Sequence, residues 1–292
     1  MNYRHAFHAG NFADVFKHLV LTLLIEHLKR KPTPFRVIDT HAGAGLYDLS
    51  GEEAGRTDEW RGGVGRLDGA ELPEAAALLI GPYRGVVDSV RREQGETMYP
   101  GSPEVARRLL RAADRLVAIE KHPETADALR LALGWDRRVR VMGLDGWVGL
   151  RANIPPKERR GVVLIDPPFE AADEFDTLAR ALGQAWRKWP GGLYAAWYPA
   201  RDGALTEAFA RAVEAAGVER VLRAELIVDA SGYGSGLPAC GMLVVNPPWT
   251  LKGDLEVLLP ALAQILAVGE HAGWRCDWAV PERDSDRHER AG

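Results

Sequence analysis

The sequence of 292 residues contains only two cysteines and no long apolar segment. Cys240 and Cys276 are too few and too widely spaced for a disulfide framework or a zinc motif. No apolar run approaches the roughly 18 residues that a membrane-spanning helix requires, and residues 1–5 lack the apolar core of a signal peptide. We therefore expect a monomeric cytoplasmic protein with reduced thiols and without a membrane partner.

The chain also lacks an excess of basic charge. Its 37 Lys and Arg residues face 41 Asp and Glu residues, which gives a net charge of -4 at pH 7, whereas nucleic-acid binding relies on cations that neutralise phosphates. Basic residues do cluster locally, at residues 29–31, 107–111, 137–140 and 157–160. Each cluster alone is typical of a solvated helix or loop face. Only their convergence on one face would predict a binding surface.

Apolar stretches alternate with segments of helical periodicity along most of the chain. A first helix is predicted from Asn11, which can cap it, to residue 28. Strands are predicted at residues 35–38, 116–119, 139–142, 162–165, 193–197, 221–228, 242–245 and 274–280. This alternation indicates an α/β fold with a mostly parallel sheet and helices on both faces. Residues 282–292 are charged and nearly devoid of apolar side chains, and we expect this tail to be disordered.

Three successive strand ends carry residues that suit a nucleoside. Ligands of such sheets bind at the carboxyl ends of the strands, and the loop after the first strand contains Gly43 and Gly45, which permit a tight turn. Glu120 follows the second strand and can accept hydrogen bonds from both ribose hydroxyls. Asp145 follows the third and can meet an adenine amino group or cap the next helix. Each feature alone also fits an ordinary turn, but together they predict a nucleoside-containing cofactor.

The sharpest signal is the turn Asp166-Pro167-Pro168-Phe169, which directly follows a fully apolar strand. Two prolines fix the backbone and leave its carbonyls aimed as acceptors, and the Asp166 carboxylate is a further acceptor for the same amino group. The Phe169 ring offers a face on which a base can stack. Two acceptors on one exocyclic amino group orient its lone pair toward an electrophilic methyl group. This pattern predicts catalysis by positioning and electrostatic stabilisation.

A second turn of this kind, Asn246-Pro247-Pro248-Trp249, also follows an apolar strand. It lies two strands beyond the Asp166 turn, next to a glycine-rich connection that contains Gly232, Gly234 and Gly236. That order places it away from a donor held near Gly43 and Glu120. We interpret it as a turn that shapes the rim of the site.

These motifs resemble the class I, Rossmann-like methyltransferases, and more closely the RlmJ-type family that methylates N6 of an adenine in large-subunit ribosomal RNA. The resemblance runs from Met1 to about Pro281. Its most specific segments are Tyr3-Arg4-His5 with Phe7 to Asn11, Asp14-Val15 with Lys17-His18, Asp39-Thr40-His41-Ala42-Gly43-Ala44-Gly45, Tyr99-Pro100-Gly101-Ser102-Pro103 and Leu164-Ile165-Asp166-Pro167-Pro168. It implies a seven-stranded sheet with an antiparallel late strand, in one domain over residues 1–281. It also implies a small helical insertion at about 46–100.

The resemblance further implies a donor, a substrate and residue roles. The donor would be S-adenosylmethionine and the partner large-subunit ribosomal RNA. The residues implied to bind the donor are His18, His41, Gly43, Ser102, Glu120, Asp145, Gly146 and Asp166. The catalytic and substrate-contacting residues are Asp166, Pro167, Phe169, Tyr3, His5 and Lys17. The family motif more often ends in tyrosine, so Phe169 keeps the stacking face and lacks the hydroxyl.

Several alternatives remain open at the level of sequence. An N6-adenine or N4-cytosine DNA methyltransferase would use the same turn, although only about 55 inserted residues are available for target recognition. A non-catalytic RNA-binding module on the same fold would not need Asp166. An NAD-dependent oxidoreductase is disfavoured by the missing third glycine. A metal cluster of His5, His8 and His18 is disfavoured because no carboxylate stands at ligand spacing, and we expect no metal.

Overall fold

A computed structural model describes residues 4–229 and 237–282, and over these residues the predicted strands form one sheet flanked by helices. The helices are α1 Phe12–Lys29, α2 Glu52–Thr57, α3 Val64–Asp68, α4 Glu74–Gln94, α5 Ser102–Leu109, α6 Pro123–Leu133, α7 Gly146–Asn153, α8 Glu174–Lys188, α9 Gly203–Ala215 and α10 Leu251–Leu266. The strands are β1 Arg36–Asp39, β2 Leu46–Asp48, β3 Met98–Pro100, β4 Arg115–Ile119, β5 Val139–Met142, β6 Gly161–Ile165, β7 Leu193–Pro199, β8 Val221–Ile227, β9 Ala239–Val245 and β10 Gly273–Val280. Short 3-10 helices cover His5–Phe7 and Glu59–Gly62.

Three sequence predictions fall outside these described residues. They concern Tyr3, the glycines at 232, 234 and 236, and the tail from residue 283 onward. Within the described parts of the chain, no helix is long and apolar enough to cross a membrane. The same parts contain no group of three or more His, Cys, Asp or Glu side chains placed to hold a metal ion.

The main sheet has the strand order β10-β8-β9-β7-β6-β1-β4-β5. Strands β5, β4, β1, β6 and β7 pair in parallel, and β9 runs antiparallel to both β7 and β8. The predicted Rossmann-like fold is therefore confirmed, but the count of seven strands is wrong, since the sheet has eight. The eighth strand is β10, which matches the strand predicted at residues 274–280 and pairs antiparallel along β8. It covers backbone N–H and C=O groups that an edge strand would otherwise expose.

Helix α1 is buried along most of its length. The Asn11 side chain caps it by accepting a hydrogen bond from the Asp14 amide at 2.9 Å, and the helix ends shortly before Pro32. It packs against α4, α5 and α10 as well as β6 and β9. Because its neighbours surround it, even Lys17 and His18 are buried, with relative exposures of 4% and 0%.

The segment between β1 and β4 contains α2 to α5 and a small antiparallel pair of β2 with β3. The β2–β3 pair brings the two ends of residues 46–100 together, and the Gly101 amide donates to the Gly45 carbonyl at 2.9 Å. Helix α4 packs on α1 and α10, so this segment lies against the helical face of the main sheet. Its contact with the start of the chain passes through the Val64 amide, which donates to the Gly10 carbonyl at 2.8 Å.

Strand direction separates the two double-proline turns. The Asp166 turn follows β6, at the edge where β1, β4 and β5 also end. Strand β9 runs the other way, so Asn246 lies at the opposite edge, where its side-chain amide donates to the carbonyls of Pro190 and Gly192 at 2.7 and 2.8 Å. This turn therefore lies away from Gly43, Glu120 and Asp145, the residues predicted to hold the donor. The interpretation that it shapes the rim of the site is wrong.

We predict that Gly63→Ala destabilises the protein, whereas the neighbouring Gly62→Ala does not. A Cβ atom on Gly63 would stand 2.1 Å from the Gly10 carbonyl oxygen, and a Cβ atom on Gly62 would meet nothing within 4 Å. Overpacking of this kind costs about 1–3 kcal/mol, while a neutral surface change stays within about 0.5 kcal/mol. Urea unfolding of both variants measures the difference, and equal midpoints would contradict the tight docking of residue 63 on residue 10.

Candidate active site

Two cavities meet at the carboxyl end of β6. The first has a volume of about 750 Å³ and is lined by the loops after β1, β4 and β5. The second has a volume of about 630 Å³ and is lined by the Asp166 turn, α8 and α9. Both volumes suit a small ligand or a nucleotide. His5, Lys17, Asp166 and Pro168 line both cavities and form the boundary between them.

The loop after β1 and the end of β4 hold each other in place in the first cavity. The Glu120 carboxylate accepts hydrogen bonds from the Gly43 amide at 3.0 Å and from the His122 amide at 2.8 Å. Each oxygen keeps a further lone pair for a ligand hydroxyl. Gly43 has a φ of +63°, and a Cβ atom there would stand 2.2 Å from the Tyr47 hydroxyl. Only glycine therefore fits this turn.

Asp145 and Gly146 form the wall of the cavity at the start of α7. Asp145 caps this helix by accepting hydrogen bonds from the amides of Trp147 and Val148 at 3.0 and 3.2 Å, and its other oxygen lies 3.3 Å from Lys121 Nζ. A Cβ atom on Gly146 would stand 2.5 Å from His41 Nε2 and from the Thr40 carbonyl oxygen. The glycine thus permits close packing of α7 on the loop after β1. Burial in this contact lowers the pKa of the His41 ring to about 4.

Ser102 connects the cavity to the buried Asp39 at the end of β1. The Ser102 hydroxyl donates to Asp39 Oδ2 at 2.6 Å, and Asp39 itself has 1% relative exposure. Burial raises the pKa of Asp39 to about 6, although the hydrogen bond from Ser102 opposes this shift. Ser102 lines the first cavity and Asp39 does not, so Asp39 fixes the cavity wall from behind.

A buried chain of charges crosses the boundary between the two cavities. Lys17 Nζ lies 2.8 Å from Asp14 Oδ1 and donates to Asp166 Oδ2 at 2.5 Å, and His5 Nε2 lies 3.0 Å from Asp14 Oδ2. Burial alone would lower the pKa of Lys17, but the charges of Asp14 and Asp166 outweigh burial and hold that pKa well above its ordinary value. Lys17 is therefore a permanent cation beside Asp166.

Asp14 was not assigned a role from the sequence, and the metal argument assumed that these histidines had no carboxylate neighbour. The fold supplies one, because Asp14 accepts from the Gly10 amide and pairs with His5 and Lys17. Burial alone would raise the pKa of Asp14, but its electrostatic interactions with His5 and Lys17 hold that pKa well below its usual value. The position of Asp14 in α1, one turn before Lys17, was the available signal.

The structure does not bring His18 to the first cavity. Its ring is completely buried, and Nδ1 is 3.0 Å from the Tyr99 hydroxyl, which in turn meets the Tyr83 hydroxyl at 2.9 Å. Burial lowers the pKa of His18 to about 3. His41, Gly43, Ser102, Glu120, Asp145, Gly146 and Asp166 all line the first cavity, as do His5 and Lys17. Among the described candidates for donor binding, His18 is the exception.

Aromatic side chains line the second cavity beside the Asp166 turn. Phe169 adopts a φ of +51°, a left-handed conformation that costs a non-glycine residue about 1–2 kcal/mol. Its ring lies 4.9 Å from that of Phe175 and 5.7 Å from that of Trp197. Pro167 and Phe169 line only this cavity. Strain of this kind is found at functional sites, and here the turn places the Phe169 ring at the cavity wall.

Sequence reasoning missed several other residues of the second cavity. Trp197 comes from the end of β7 and Phe175 from α8, so only the pairing of β7 with β6 brings them to Asp166. Arg201 lies at the mouth, is exposed, and has no carboxylate within 4.0 Å among the described residues. No local motif marks these positions, because each is contributed by a different element.

A parallel sheet with a nucleoside-sized cavity at its carboxyl ends, joined to an Asp-Pro-Pro-Phe turn after β6, defines a class I methyltransferase. Residues 32–280 match the family model described as Ribosomal RNA large subunit methyltransferase D, RlmJ. The chain belongs to this family. The fold class and the family predicted from the sequence are therefore confirmed.

Individual relatives agree with this assignment. The chain is 39% identical over 283 residues to Ribosomal RNA large subunit methyltransferase J from Haemophilus influenzae. These aligned residues cover 97% of this chain and 100% of the relative. The protein of the same name from Escherichia coli K12 gives the same identity and coverage. The crystal structure of protein LPL1258 from Legionella pneumophila is 33% identical with a TM-score of 0.83, over 93% of this chain and 98% of that one.

We predict that His18 makes the protein lose stability as the pH falls below about 6.5. The unfolded chain then protonates this histidine, whose pKa is about 3 in the folded state, so stability is lost between these two values. In His18→Asn, an amide side chain can still bond the Tyr99 hydroxyl. The stability lost between pH 7.5 and 5.0 should then be smaller by about 2 kcal/mol.

Urea unfolding of the wild type and of His18→Asn at both pH values measures this difference. His41 titrates in both proteins and therefore cancels. Equal pH dependence in the two proteins would mean that His18 is protonated in the folded state.

Proposed function

We propose that this methyltransferase transfers the methyl group of S-adenosylmethionine to the N6 amino group of an adenosine in large-subunit ribosomal RNA. The observation that carries the proposal is the position of Asp166, whose carboxylate lies where the two cavities meet. A group at this boundary can contact a donor in one cavity and an acceptor base in the other. The names of the two relatives support large-subunit ribosomal RNA as the substrate.

The residues of the first cavity fit the proposed donor. Glu120 offers carboxylate lone pairs to ribose hydroxyls, and Asp145 offers its oxygens to an adenine amino group. Gly43 and Gly146 permit the close packing of Tyr47 and His41 that shapes this cavity. The cavity volume of about 750 Å³ accommodates a nucleoside with an amino-acid side arm. S-adenosylmethionine, when bound, supplies an electrophilic methyl group carried by a sulfonium.

The residues of the second cavity fit an adenine base. The Phe169 ring can stack on it, while a carbonyl of the double-proline turn and the Asp166 carboxylate accept hydrogen bonds from its amino group. Lys17 engages Oδ2 of Asp166, and Oδ1 has no protein donor among the described residues. Asp166 can therefore bond the amino group without releasing Lys17. This arrangement orients the nitrogen lone pair toward the donor cavity.

Charge develops on the amino nitrogen during transfer, and Asp166 is placed to stabilise it. The nitrogen would gain positive charge as its lone pair forms the bond to the methyl carbon while the carbon–sulfur bond of the sulfonium breaks to leave a neutral thioether. The negative carboxylate would face that charge in a site of low dielectric. The surplus proton then leaves along the hydrogen bond toward Asp166. Lys17 cannot accept this proton, because its raised pKa keeps it protonated. We assign Lys17 to holding the carboxylate in place.

Methyl transfer from labelled S-adenosylmethionine to protein-free large-subunit ribosomal RNA, followed by digestion to nucleosides, tests the function. Label in N6-methyladenosine is the expected result. Label on duplex DNA but not on RNA would support a DNA methyltransferase instead. Absence of both transfer and donor binding would support a non-catalytic RNA-binding module.

We predict that Asp166→Ala abolishes methyl transfer while donor binding is partly retained. Glu120, Asp145 and the glycine loop are unchanged in this variant, whereas the acceptor for the amino group is lost. Calorimetry with S-adenosylmethionine and the transfer assay measure the two properties separately. Full activity of the variant would overturn the proposed mechanism.

We predict that Phe169→Ala raises the KM for RNA by about tenfold to a hundredfold, because base stacking is worth about 1–3 kcal/mol. Phe169→Tyr keeps the ring and should retain a KM close to that of the wild type. Donor affinity, measured in parallel, should not change in either variant, since this side chain lines only the second cavity. An equal effect of both substitutions would indicate that stacking is not the role of this residue.

A further inference from the structure

Four arginines stand in a row where the parallel strands begin, at the edge of the sheet opposite the active site. Arg36 begins β1 and pairs in register with Arg115, which begins β4. Arg138 precedes β5, and its carbonyl accepts a hydrogen bond from the Leu116 amide in β4. Arg160 precedes β6, and its carbonyl accepts a hydrogen bond from the Arg36 amide. Neighbouring strands lie about 4.8 Å apart. The row therefore follows four adjacent strands in the order Arg160, Arg36, Arg115 and Arg138.

Hydrogen bonds from arginines hold the loop after α1 against this row. Arg111 and Arg160 both donate to the Thr33 carbonyl, at 3.1 and 2.6 Å, and Arg111 also donates to the Lys31 carbonyl at 2.7 Å. These bonds hold Arg30 and Lys31 beside the arginines. Members of all four basic clusters seen in the sequence, which lie far apart along the chain, therefore lie at one edge of the fold.

The acidic residues of this edge are already paired. The pairs are Glu26 with Lys29, Asp114 with Arg111, Glu158 with Arg36 and Asp136 with Arg138, at 2.6, 2.8, 2.9 and 2.6 Å. Six cations at the same edge have no carboxylate within 4.0 Å among residues 4–229 and 237–282. We call them the basic edge; they are Arg30, Lys31, Arg115, Lys157, Arg159 and Arg160. In a chain whose net charge is -4, this is a marked local excess of positive charge.

We infer that the basic edge binds backbone phosphates of the RNA substrate at a distance from the target adenosine. This inference rests on the proposed function. Arginine and lysine side chains without carboxylate partners are the groups that bind phosphate oxygens, and such contacts position a nucleic acid without reading its sequence. The regularly spaced phosphates of an RNA chain match a row of cations that extends across several β-strands.

The distance between the two edges fixes how large the substrate must be. A strand of five residues such as β6 is about 17 Å long, and the basic edge lies beyond its start while Asp166 lies beyond its end. The nucleotide bound at the second cavity cannot span this distance. The RNA must fold around the side of the protein, so a long structured RNA gains contacts that a short stem-loop lacks.

The test compares two double variants that each remove two positive charges. Arg30→Gln with Lys31→Gln alters the basic edge, at exposed positions whose side chains make no hydrogen bond within the described residues. The control, Arg180→Gln with Arg211→Gln, alters exposed positions on α8 and α9. Filter binding at several salt concentrations is measured with protein-free large-subunit ribosomal RNA and with a short stem-loop that contains the target adenosine.

We expect the basic-edge variant to bind the long RNA roughly tenfold more weakly, with a salt slope that is smaller by about 1.5. Its affinity for the stem-loop should stay at the wild-type value, and the control should match the wild type with both RNAs. Lys157→Glu, on the other side of the row, should also weaken binding of the long RNA alone. Unchanged binding of the long RNA, or an equal loss in the control or with the stem-loop, would overturn the inference. Methyl transfer by the wild type, scored separately, tests the proposed function itself.

Discussion

The site depends on one buried cation, the Lys17 ammonium between Asp14 and Asp166. Taking a charge out of water costs several kcal/mol, so each of these groups is tolerable only while its partner stays close. Asp166 lies 149 residues beyond Lys17 in the chain. The ion pair therefore requires that α1 lie beside the end of β6. It also sets the position of the carboxylate that separates the two cavities.

The division of the site into two cavities follows from that boundary. The first cavity is built from three strand ends of a parallel sheet, where backbone amides and carboxylates face the same edge. The second cavity is built from the Asp166 turn, α8 and α9, where aromatic rings line the wall. Groups bound in the two cavities would meet at the boundary formed by His5, Lys17, Asp166 and Pro168. A strained turn at Phe169 is tolerated because the packed rings around it hold it in place.

The distribution of charge follows from the same chemistry. Ribose hydroxyls and amino groups are donors, so the residues proposed to recognise them are carboxylates, as at Glu120, Asp145 and Asp166. Phosphates are acceptors and need cations instead. Carboxylates and unpaired cations on the same surface would neutralise each other. The fold places the cations at the opposite edge of the sheet, and a slightly acidic chain can therefore still present a basic surface to RNA.

The sequence by itself determined the fold class, the glycine loop and the Asp166 turn, because strand and turn signals are local and the carboxyl ends of parallel strands must share one edge. The tertiary structure alone decided which residues face a cavity. Helical periodicity could not show that His18 points into the core while Lys17 reaches the boundary, because neighbours on all sides bury α1. Nor could it show that β10 pairs along β8, or that β9 carries the Asn246 turn to the opposite edge. These features depend on pairings between distant segments, which side-chain packing and backbone hydrogen bonding select only once the whole chain has folded.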